Sequence, residues 1–465
     1  MTDFASLLVA DRGQNAHPIH LVDKESFDGW LKKRPAEDRA LLKAQRFDGK
    51  KPFAFALLPR GNGFEVVSAV KNSAKLSPWC LAKLAEGLPE GTYKLAEGEA
   101  GTAMLGWLLA QHRFDSYRSN KDEPESGDRI LVTGEAAAID QIVRVAEATA
   151  LVRDLVNTPA ADLGPAELEQ AVRDEASRSG AQLRVTAGKE LVDGYPLIAA
   201  VGGAATHERA PRLIELEWGK PNNPRIAIIG KGVCFDSGGL DLKSAAGMRL
   251  MKKDMGGAAH ALALARLIIG ERLPVQLHLL IPAVENAVSG AAYRPGDVVK
   301  SRKGTFVEID NTDAEGRLIL ADALTRAAEG DPELIVDFAT LTGAARIALG
   351  PDLPALFANL DELASTVERF AREAKDPLWR MPLWEPYDEM LKSDIADFAN
   401  ASNSPMGGCI TAALFLQRFV PEGMSWAHLD TYAWRDQAKP GRPKGGDALG
   451  LRAVFAMLAD RYSGG

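Results

Sequence analysis

The chain has 465 residues, of which 46% are hydrophobic and 25% are charged, and its formal net charge is −8. This length predicts two domains or three, because a single hydrophobic core rarely grows so large. The balance of apolar and charged residues excludes an intrinsically disordered chain, and the negative charge argues against a general nucleic-acid binder, which needs a basic surface.

Cysteine usage and the first residues indicate a cytoplasmic protein. Cys80, Cys234 and Cys409 are far apart and form no Cys-x-x-Cys pair, so neither a disulfide framework nor a thiolate zinc site is indicated. The apolar run at residues 4–10 follows Asp3 instead of a basic segment, so it does not resemble a secretory signal. No uninterrupted apolar stretch approaches the length required to cross a bilayer.

The first part of the chain predicts a smaller N-terminal α/β domain, residues 1–140. Apolar runs predict strands at residues 53–58 and 129–133, and helical patterns occupy residues 81–88 and 102–111. The charged segment 119–128 predicts an exposed loop. These segments contain few clustered polar groups of the kind that a catalytic site requires.

A long helical pattern at residues 136–156 contains no Gly or Pro and is stopped by Pro159. We therefore predict a connecting helix at residues 141–160 and a larger C-terminal domain at residues 161–465. This domain is predicted to contain helices at 165–179, 258–269 and 319–328 and strands at 182–186, 213–217 and 225–229. Because the strands alternate with helices, we expect an α/β fold with a mostly parallel central sheet flanked by helices.

Candidate site residues follow the strand predicted at residues 225–229. Residues 230–239 read Gly-Lys-Gly-Val-Cys-Phe-Asp-Ser-Gly-Gly, which predicts a glycine-rich loop carrying Lys231 and Asp236, and Lys243 follows. A phosphate-binding loop is the weaker alternative, because the segment lacks the Gly-Lys-Ser/Thr ending of a Walker loop. Ligands of parallel sheets bind at the carboxyl ends of strands, where these side chains are expected.

Two further segments add acidic residues. Asp254 lies in Lys-Lys-Asp-Met-Gly-Gly-Ala-Ala, residues 252–259, where it could cap the helix that this segment is predicted to open. In residues 311–318, Asn-Thr-Asp-Ala-Glu-Gly-Arg-Leu, the charged residues Asp313, Glu315 and Arg317 alternate. An extended backbone would project all three from one face. A solvated strand edge with a local salt bridge is the ordinary interpretation of such a pattern.

Taken together, these acidic residues favour a binuclear metal site. Each has an ordinary explanation by itself, but all of those explanations would have to hold at once. Three aspartates and one glutamate at the ends of successive strands are the ligands that hard or borderline divalent cations prefer. Two cations bridged by shared carboxylates would also stabilise the crowding of like charges.

Residues 230–239, 253–259 and 311–318, in this order and spacing, resemble segments of the leucyl aminopeptidase family of dizinc cytosolic exopeptidases. The last of these segments resembles the family's signature. The similarity continues through residues 337–344, 407–416 and 428–430. The start of the chain resembles the family only in general character.

The resemblance implies a metal-dependent aminopeptidase with two divalent metal ions per subunit, zinc or manganese. Asp236 and Glu315 would bridge both ions. Lys231 and Asp254 would complete one metal site, and Asp313 would complete the other. A lysine ligand must be the neutral amine, so burial and two nearby cations would have to lower its pKa.

The resemblance also implies roles around the metals. A bridging water would attack the peptide carbonyl, Lys243 would stabilise the oxyanion, and Arg317 would hold a bicarbonate ion that acts as general base. The substrate cleft and its first side-chain pocket would be lined by Met251, Asn311, Thr340, Leu341 and Gly343. An apolar pocket would favour leucine-like N-terminal residues of short peptides, with broad selectivity.

Two other interpretations of the sequence are disfavoured. Some members of the family bind DNA as accessory or regulatory proteins, although the acidity of this chain disfavours nucleic acid as a partner. An inactive member kept for assembly is disfavoured, because no charged site residue has been lost. The resemblance further implies a homohexamer built as a dimer of trimers, with no membrane association.

Three reactive residues near the motifs are predicted to be structural. Cys234 has an apolar neighbour on each side and no histidine within its motif, so we expect a buried, inert thiol. His260 lies within a helical pattern and His428 lies near the end of a predicted strand. None of the three is expected to bind a metal.

Overall fold

The computed structural model describes residues 2–119 and 127–463, and the chain divides into two compact units. The smaller unit comprises Met1–Ala150 and Gln437–Lys444, and the larger comprises Leu151–Asp436 and Gly445–Gly465. Most of the loop predicted at residues 119–128 lies outside the described residues. Within the described ranges, no helix is long and apolar enough to cross a membrane.

The smaller unit contains a six-stranded sheet. Its strands lie in the order Leu8–Ala10, Arg129–Thr133, Gly91–Leu95, His17–Val22, Gly63–Ala69 and Phe55–Arg60. All neighbours are parallel except the last two, which form an antiparallel hairpin. The helices of this unit include Phe4–Leu7, Phe27–Lys32, Ala36–Ala44, Ala82–Gly87 and Ala103–Leu109.

The strand predicted at residues 53–58 begins two residues later than expected. Phe53 has a φ of 71°, which lies outside the strand region of backbone conformations, so the strand begins at Phe55 and extends to Arg60. The strand predicted at residues 129–133 has the expected bounds. The long helix runs over Ile139–Asn157 after a short 3₁₀ turn, Ala136–Ala138, and the division between the two units falls within it.

The larger unit is built on a nine-stranded, mostly parallel sheet. The main path runs through Trp379–Arg380, Ala355–Ala358, Ser425–Asp430, Leu334–Ala339, Arg225–Gly230, Gln276–Asn286, Arg212–Trp218 and Gln182–Ala187. The ninth strand, Gly232–Asp236, pairs with the second half of Gln276–Asn286. Two small sheets are added by Val298–Lys300, Phe306–Glu308 and Phe398–Ala399, and by Trp434–Arg435 and Gly445–Gly446.

Helices alternate with these strands, as the sequence predicts. The α-helices are Pro165–Ser179, Gly188–Gly194, Pro196–Gly202, Ala245–Met248, Gly256–Gly270, Glu315–Ala328, Gly343–Leu349, Asp361–Glu373, Gly408–Gln417 and Leu451–Tyr462. Short 3₁₀ helices occupy His207–Arg209, Met251–Met255 and Glu385–Leu391. The helix at Pro165–Ser179 has the bounds expected from its proline at the start and from Gly180, whose positive φ of 68° ends it.

The central strands of the larger unit are buried because helices cover them. Leu334–Ala339 is buried at every residue, and Arg225–Gly230 at every residue but the first. Such continuous apolar runs are typical of parallel strands covered on both faces. Helix Glu315–Ala328 belongs to the same apolar core as Ala227 and Ile229 of the central strand. The predicted two-domain α/β fold class is therefore confirmed.

Glycine allows helix Gly256–Gly270 to begin very close to the strand ends. A Cβ atom on Gly257 would lie 2.2 Å from the carbonyl oxygen of Phe338 and 2.9 Å from the backbone nitrogen of Lys231. Both obstacles are backbone atoms, which cannot move aside as a flexible side chain could. This close approach positions the 3₁₀ helix Met251–Met255, which precedes the helix and carries Asp254.

We predict that Gly257→Ala lowers the free energy of unfolding by about 1–3 kcal/mol, because the added methyl group forces the helix away from the strands. Urea denaturation followed by circular dichroism measures the change. Gly290→Ala is the matched control, since a Cβ there meets no atom within 4 Å. Equal stability of the two variants would contradict the close-packing argument.

Candidate active site

All of the site residues predicted from the sequence line one cavity of about 830 Å³ in the larger unit. They come from four segments that the sheet brings together near the carboxyl ends of its central strands. The predicted residues in its wall are Lys231, Asp236, Lys243, Met251, Asp254, Asn311, Asp313, Glu315, Arg317, Thr340, Leu341 and Gly343.

Asp236 reaches the cavity as the last residue of a strand, as the sequence indicates, although this strand, Gly232–Asp236, takes the place of much of the predicted glycine-rich loop at residues 230–239. After Arg225–Gly230 the chain continues as strand Gly232–Asp236, which pairs in parallel with Gln276–Asn286. A Cβ on Gly232 would lie 2.6 Å from the carbonyl oxygen of Pro282, so glycine permits this close pairing. The carboxylate of Asp236 accepts hydrogen bonds from the Gly238 N–H and from Asn286 Nδ2, each at 2.9 Å.

The prediction of an extended backbone for residues 311–318 is wrong. Asp313 lies in a turn, and Glu315 is the first residue of helix Glu315–Ala328, which begins four residues before the predicted start. Glu315 and Arg317 are therefore separated by a little over half a helical turn instead of projecting in parallel. Both side chains still line the same cavity, because both residues belong to the first turn of the helix, at its N-terminus. An acidic residue in the first turn is favoured there by the helix dipole.

Three carboxylates crowd together at the centre of the site. Oxygen atoms of Asp236, Asp313 and Glu315 all lie within 4.8 Å of one another. Burial and the charge of Asp236 raise the pKa of Glu315 to about 8, and the same two causes raise the pKa of Asp313. Such mutual repulsion persists in a folded protein only where cations compensate it.

Two lysines supply positive charge to the cluster. Lys231 Nζ lies 2.8 Å from Asp254 Oδ2 and 2.9 Å from Glu315 Oε1, and it donates to the carbonyl oxygen of Thr340 at 3.1 Å. Burial lowers the pKa of Lys231, but the carboxylates of Asp254 and Glu315 outweigh that effect and raise the pKa above its ordinary value.

Lys243 is the second of these lysines. Its Nζ lies 2.7 Å from Asp236 Oδ2 and also contacts Asp313 Oδ1. Burial lowers the pKa of Lys243, but the carboxylates of Asp236, Glu315 and Asp313 raise it above the ordinary value. Each lysine therefore bridges two members of the acidic set.

The donor set fits divalent cations. Carboxylate oxygens are the ligands that hard and borderline divalent ions prefer, and several converge here within coordination reach of a shared centre. Glu315 Oε2 is buried and has no hydrogen-bond partner among the described residues. Asp254 is not the helix cap that a simple interpretation predicts, because its Oδ1 accepts a hydrogen bond from Thr340 Oγ1 at 2.8 Å.

Arg317 is a buried cation on the wall of the cavity. Its Nη1 donates to the backbone carbonyl of Asn400 at 2.8 Å, and burial lowers its pKa to about 10, so the guanidinium stays charged at neutral pH. It does not form the salt bridge with Asp313 or Glu315 that the ordinary interpretation of the sequence pattern would require, since no such ion pair occurs among the described residues.

Several positioning residues were not identified from the sequence. Asn286 holds Asp236, and Asp430 accepts hydrogen bonds from the N–H groups of Leu341 and Thr342 at 2.9 and 3.2 Å. Both are polar residues at the carboxyl end of an apolar strand, a signal that could have identified them. Asn400 and Thr312 carry no such signal, because they lie in irregular segments.

The residues predicted to be structural have structural contacts. His260 Nδ1 donates to the carbonyl oxygen of Gly256 at 2.7 Å, and its Nε2 accepts the Leu449 N–H at 3.0 Å. His428 Nδ1 lies 2.5 Å from Asp337 Oδ1. Burial raises the pKa of the Cys234 thiol well above its ordinary value. That none of the three is a metal ligand stays a prediction.

The fold and the site thus define a two-unit α/β protein. Its larger unit has a cavity near the carboxyl ends of the central strands, lined by acidic residues that two lysines connect. Residues 150–455 match the catalytic domain of the cytosol aminopeptidase family, and residues 17–126 match the N-terminal domain of the M17 aminopeptidases. A probable cytosol aminopeptidase of Syntrophotalea carbinolica is 43% identical over 368 residues, which cover 76% of this chain and 73% of the relative.

Solved structures agree with these matches. The crystal structure of a cytosol aminopeptidase from Coxiella burnetii is 44% identical, with a TM-score of 0.92 and coverage of 98% of this chain and 99% of that one. The bottromycin maturation enzyme BotP in complex with Mn is 32% identical, with a TM-score of 0.85 and coverage of 98% and 100%. The chain belongs to the cytosol aminopeptidase family, which confirms the resemblance seen in the sequence and supports aminopeptidase activity.

We predict that Asn400→Ala lowers the free energy of unfolding by about 1–3 kcal/mol, because the buried Asn400 side chain gives up three hydrogen bonds to the backbone of residues 310 and 311. Asn400 Oδ1 accepts from the N–H groups of Asp310 and Asn311 at 2.8 and 3.1 Å, and Nδ2 donates to the Asn311 carbonyl at 2.7 Å. Urea denaturation measures the loss. Asn222→Ala, which alters an exposed side chain, is the control. Equal stability of the two variants would show that the hydrogen bonds of Asn400 contribute nothing to folding.

Proposed function

We propose that this chain is a metal-dependent aminopeptidase that releases N-terminal residues from short peptides with two divalent cations. The observation that carries the proposal is the convergence of Asp236, Asp313 and Glu315 within one cavity. Membership of an aminopeptidase family and the complex of BotP with Mn support the use of divalent metal.

The metal ligands are assigned from the donor set. Asp236 and Glu315 would serve as ligands shared by the two ions, which is the role that the resemblance to the family implies for them, and both belong to the carboxylate cluster. Asp254 and Lys231 would complete one site, and Asp313 would complete the other. Lys231 would bind as the neutral amine, since a divalent cation beside it would repel the ammonium form and neutralise the carboxylates of Asp254 and Glu315 that favour it.

Bound cations would supply an activated water and polarise the scissile carbonyl. Lys243 would stabilise negative charge that develops on the substrate oxygen. This assignment is supported by its ammonium group, which lies beside Asp236 and Asp313 in the same cavity. Arg317 keeps a buried positive charge on the cavity wall and is assigned to hold a bicarbonate ion as general base.

The substrate pocket is assigned to Met251, Thr340, Leu341 and Gly343, with Asn311 on the neighbouring turn. Met251 and Leu341 give the pocket an apolar wall suited to leucine-like side chains. Discrimination by such a wall is modest, because one methylene is worth about 1–3 kcal/mol, so a broad range of N-terminal residues is expected.

Location and assembly are also part of the proposal. We propose a cytoplasmic location, in line with the names of its relatives. We also propose a homohexamer, which the resemblance to the family implies. The alternative of a DNA-binding regulator finds no support in the relatives from Syntrophotalea carbinolica and Coxiella burnetii or in BotP, which are named as aminopeptidases and as a maturation enzyme.

We expect Asp236→Ala to lower the hydrolysis of leucine amide by at least about a hundredfold, because loss of a bridging carboxylate removes a ligand from both metal sites. A panel of dipeptides measures the activity, and elemental analysis of the same preparations measures the bound metal. Asp193→Ala, on an exposed side chain, is the control. Equal activity of wild type and Asp236→Ala would disprove the assignment.

Removal of metal tests the same proposal without a substitution. Dialysis against a chelator should abolish hydrolysis of leucine amide, and Mn²⁺ or Zn²⁺ should restore it. The restored activity should rise with bound metal until two ions per chain are present. Full activity in protein shown by elemental analysis to be metal-free would contradict metal dependence.

A further inference from the structure

A second group of charged side chains lies in the same cavity, apart from the carboxylate cluster. Lys253, Arg346 and Tyr432 all line the cavity wall. Lys253 Nζ lies 5.1 Å from the centroid of the Tyr432 ring, and Arg346 Cζ lies 4.9 Å from it. Two cationic side chains therefore lie near one aromatic ring, and this part of the cavity wall carries two positive charges.

Neither cation has an acidic partner among the described residues. The Lys253 side chain forms no ion pair or hydrogen bond with any of them, although only 5% of the residue is exposed. Arg346 likewise forms no ion pair within the part of the chain that the structure describes. Lys231 and Lys243, by contrast, each contact two carboxylates.

The neighbouring acids are already engaged elsewhere. Asp254 faces Lys231 and Thr340. Asp430 accepts hydrogen bonds from two backbone N–H groups and from Thr342 Oγ1 at 2.6 Å. Because a buried charge without a counter-charge is costly, the unpaired ammonium group in this wall points to a negatively charged ligand.

The position of the two cations indicates which part of a substrate would meet them. Lys253 follows Met251 by two residues on the 3₁₀ helix Met251–Met255. Arg346 follows Gly343 by three residues on helix Gly343–Leu349. Met251 and Gly343 are assigned to the pocket for the first side chain, so the cations lie on the segments that build that pocket.

We propose that Lys253 and Arg346, which both lie beside the Tyr432 ring, bind the carboxylate of an acidic first residue, so that the enzyme accepts N-terminal glutamate and aspartate. This inference rests on the proposed aminopeptidase function. The carboxylate would supply the counter-charge that the buried Lys253 lacks, and the exposed Arg346 at the rim would add a second cationic contact. The Tyr432 ring lies beside both cations. Met251 and Leu341 keep an apolar surface in the same pocket, so leucine is also accepted.

The test compares matched substrates whose C-terminal carboxylate is blocked as an amide. These are glutamyl-alanine amide, glutaminyl-alanine amide and leucyl-alanine amide, assayed with metal-loaded enzyme at neutral pH, and leucyl-alanine with a free C-terminal carboxylate is assayed beside them. In the wild type, kcat/KM for the glutamyl peptide should exceed that for the glutaminyl peptide by about tenfold or more, because charge-assisted hydrogen bonds outweigh neutral ones.

The variants Lys253→Met and Arg346→Met should each bring this ratio towards one, chiefly through a higher KM for the glutamyl peptide. Lys253→Arg should preserve the ratio, because it keeps the charge. Arg369→Met, which alters an exposed arginine on helix Asp361–Glu373, is the matched control and should leave the ratio as in the wild type. Persistent cleavage of leucyl-alanine amide shows that each variant is folded.

Three outcomes overturn the inference. The first is a wild-type ratio near one. The second is a ratio that both variants leave unchanged while leucyl-alanine amide is cleaved. The third is a variant effect confined to leucyl-alanine relative to its amide, which would assign the cations to the C-terminal carboxylate of a dipeptide. Failure of the metal-loaded wild type to cleave any of these peptides would instead refute the proposed function itself.

Discussion

Like-charge repulsion within a tight cluster of carboxylates, two of them buried, is the constraint on which the site of this protein depends. Asp236, Asp313 and Glu315 lie close enough for burial and mutual repulsion to raise the pKa of two of them. Lys231 and Lys243 hold the cluster together by contacting two acids each. The same arrangement that is costly for an isolated protein chain is favourable for binding divalent cations, so the strain of the fold and its proposed chemistry have one origin.

The surrounding fold serves to bring these charges together from distant parts of the chain. A parallel sheet aligns the carboxyl ends of its strands, and the strand Gly232–Asp236 carries one acid a few residues beyond the end of the central strand. Gly257 allows a helix to begin against the strand ends, which places Asp254 beside Lys231. Buried amides such as Asn286 and Asn400 then fix the backbone around the acids.

Regular elements with strong hydrophobic patterns were predictable from the sequence, whereas the site segments were not. The helix at Pro165–Ser179 and the strand at Arg129–Thr133 have the expected bounds because periodicity and caps define them locally. Residues 311–318 were expected to be extended but form a turn and the start of a helix. Short segments rich in glycine and charged residues have no hydrophobic periodicity from which a helix or strand could be predicted, so tertiary packing decides their conformation.

The candidate site residues could be named from the sequence itself, because ligand types and their spacing are chemical properties of the chain and resemble those of a known family. Their distances, and the pairing of Lys231 with Asp254 and Glu315, were decided only by the tertiary structure. So was the proximity of Lys253 and Arg346 to the same ring, Tyr432, because the three residues are far apart in the chain. Electrostatic interaction depends on distance in space, and neither spacing along the chain nor local propensity encodes that distance.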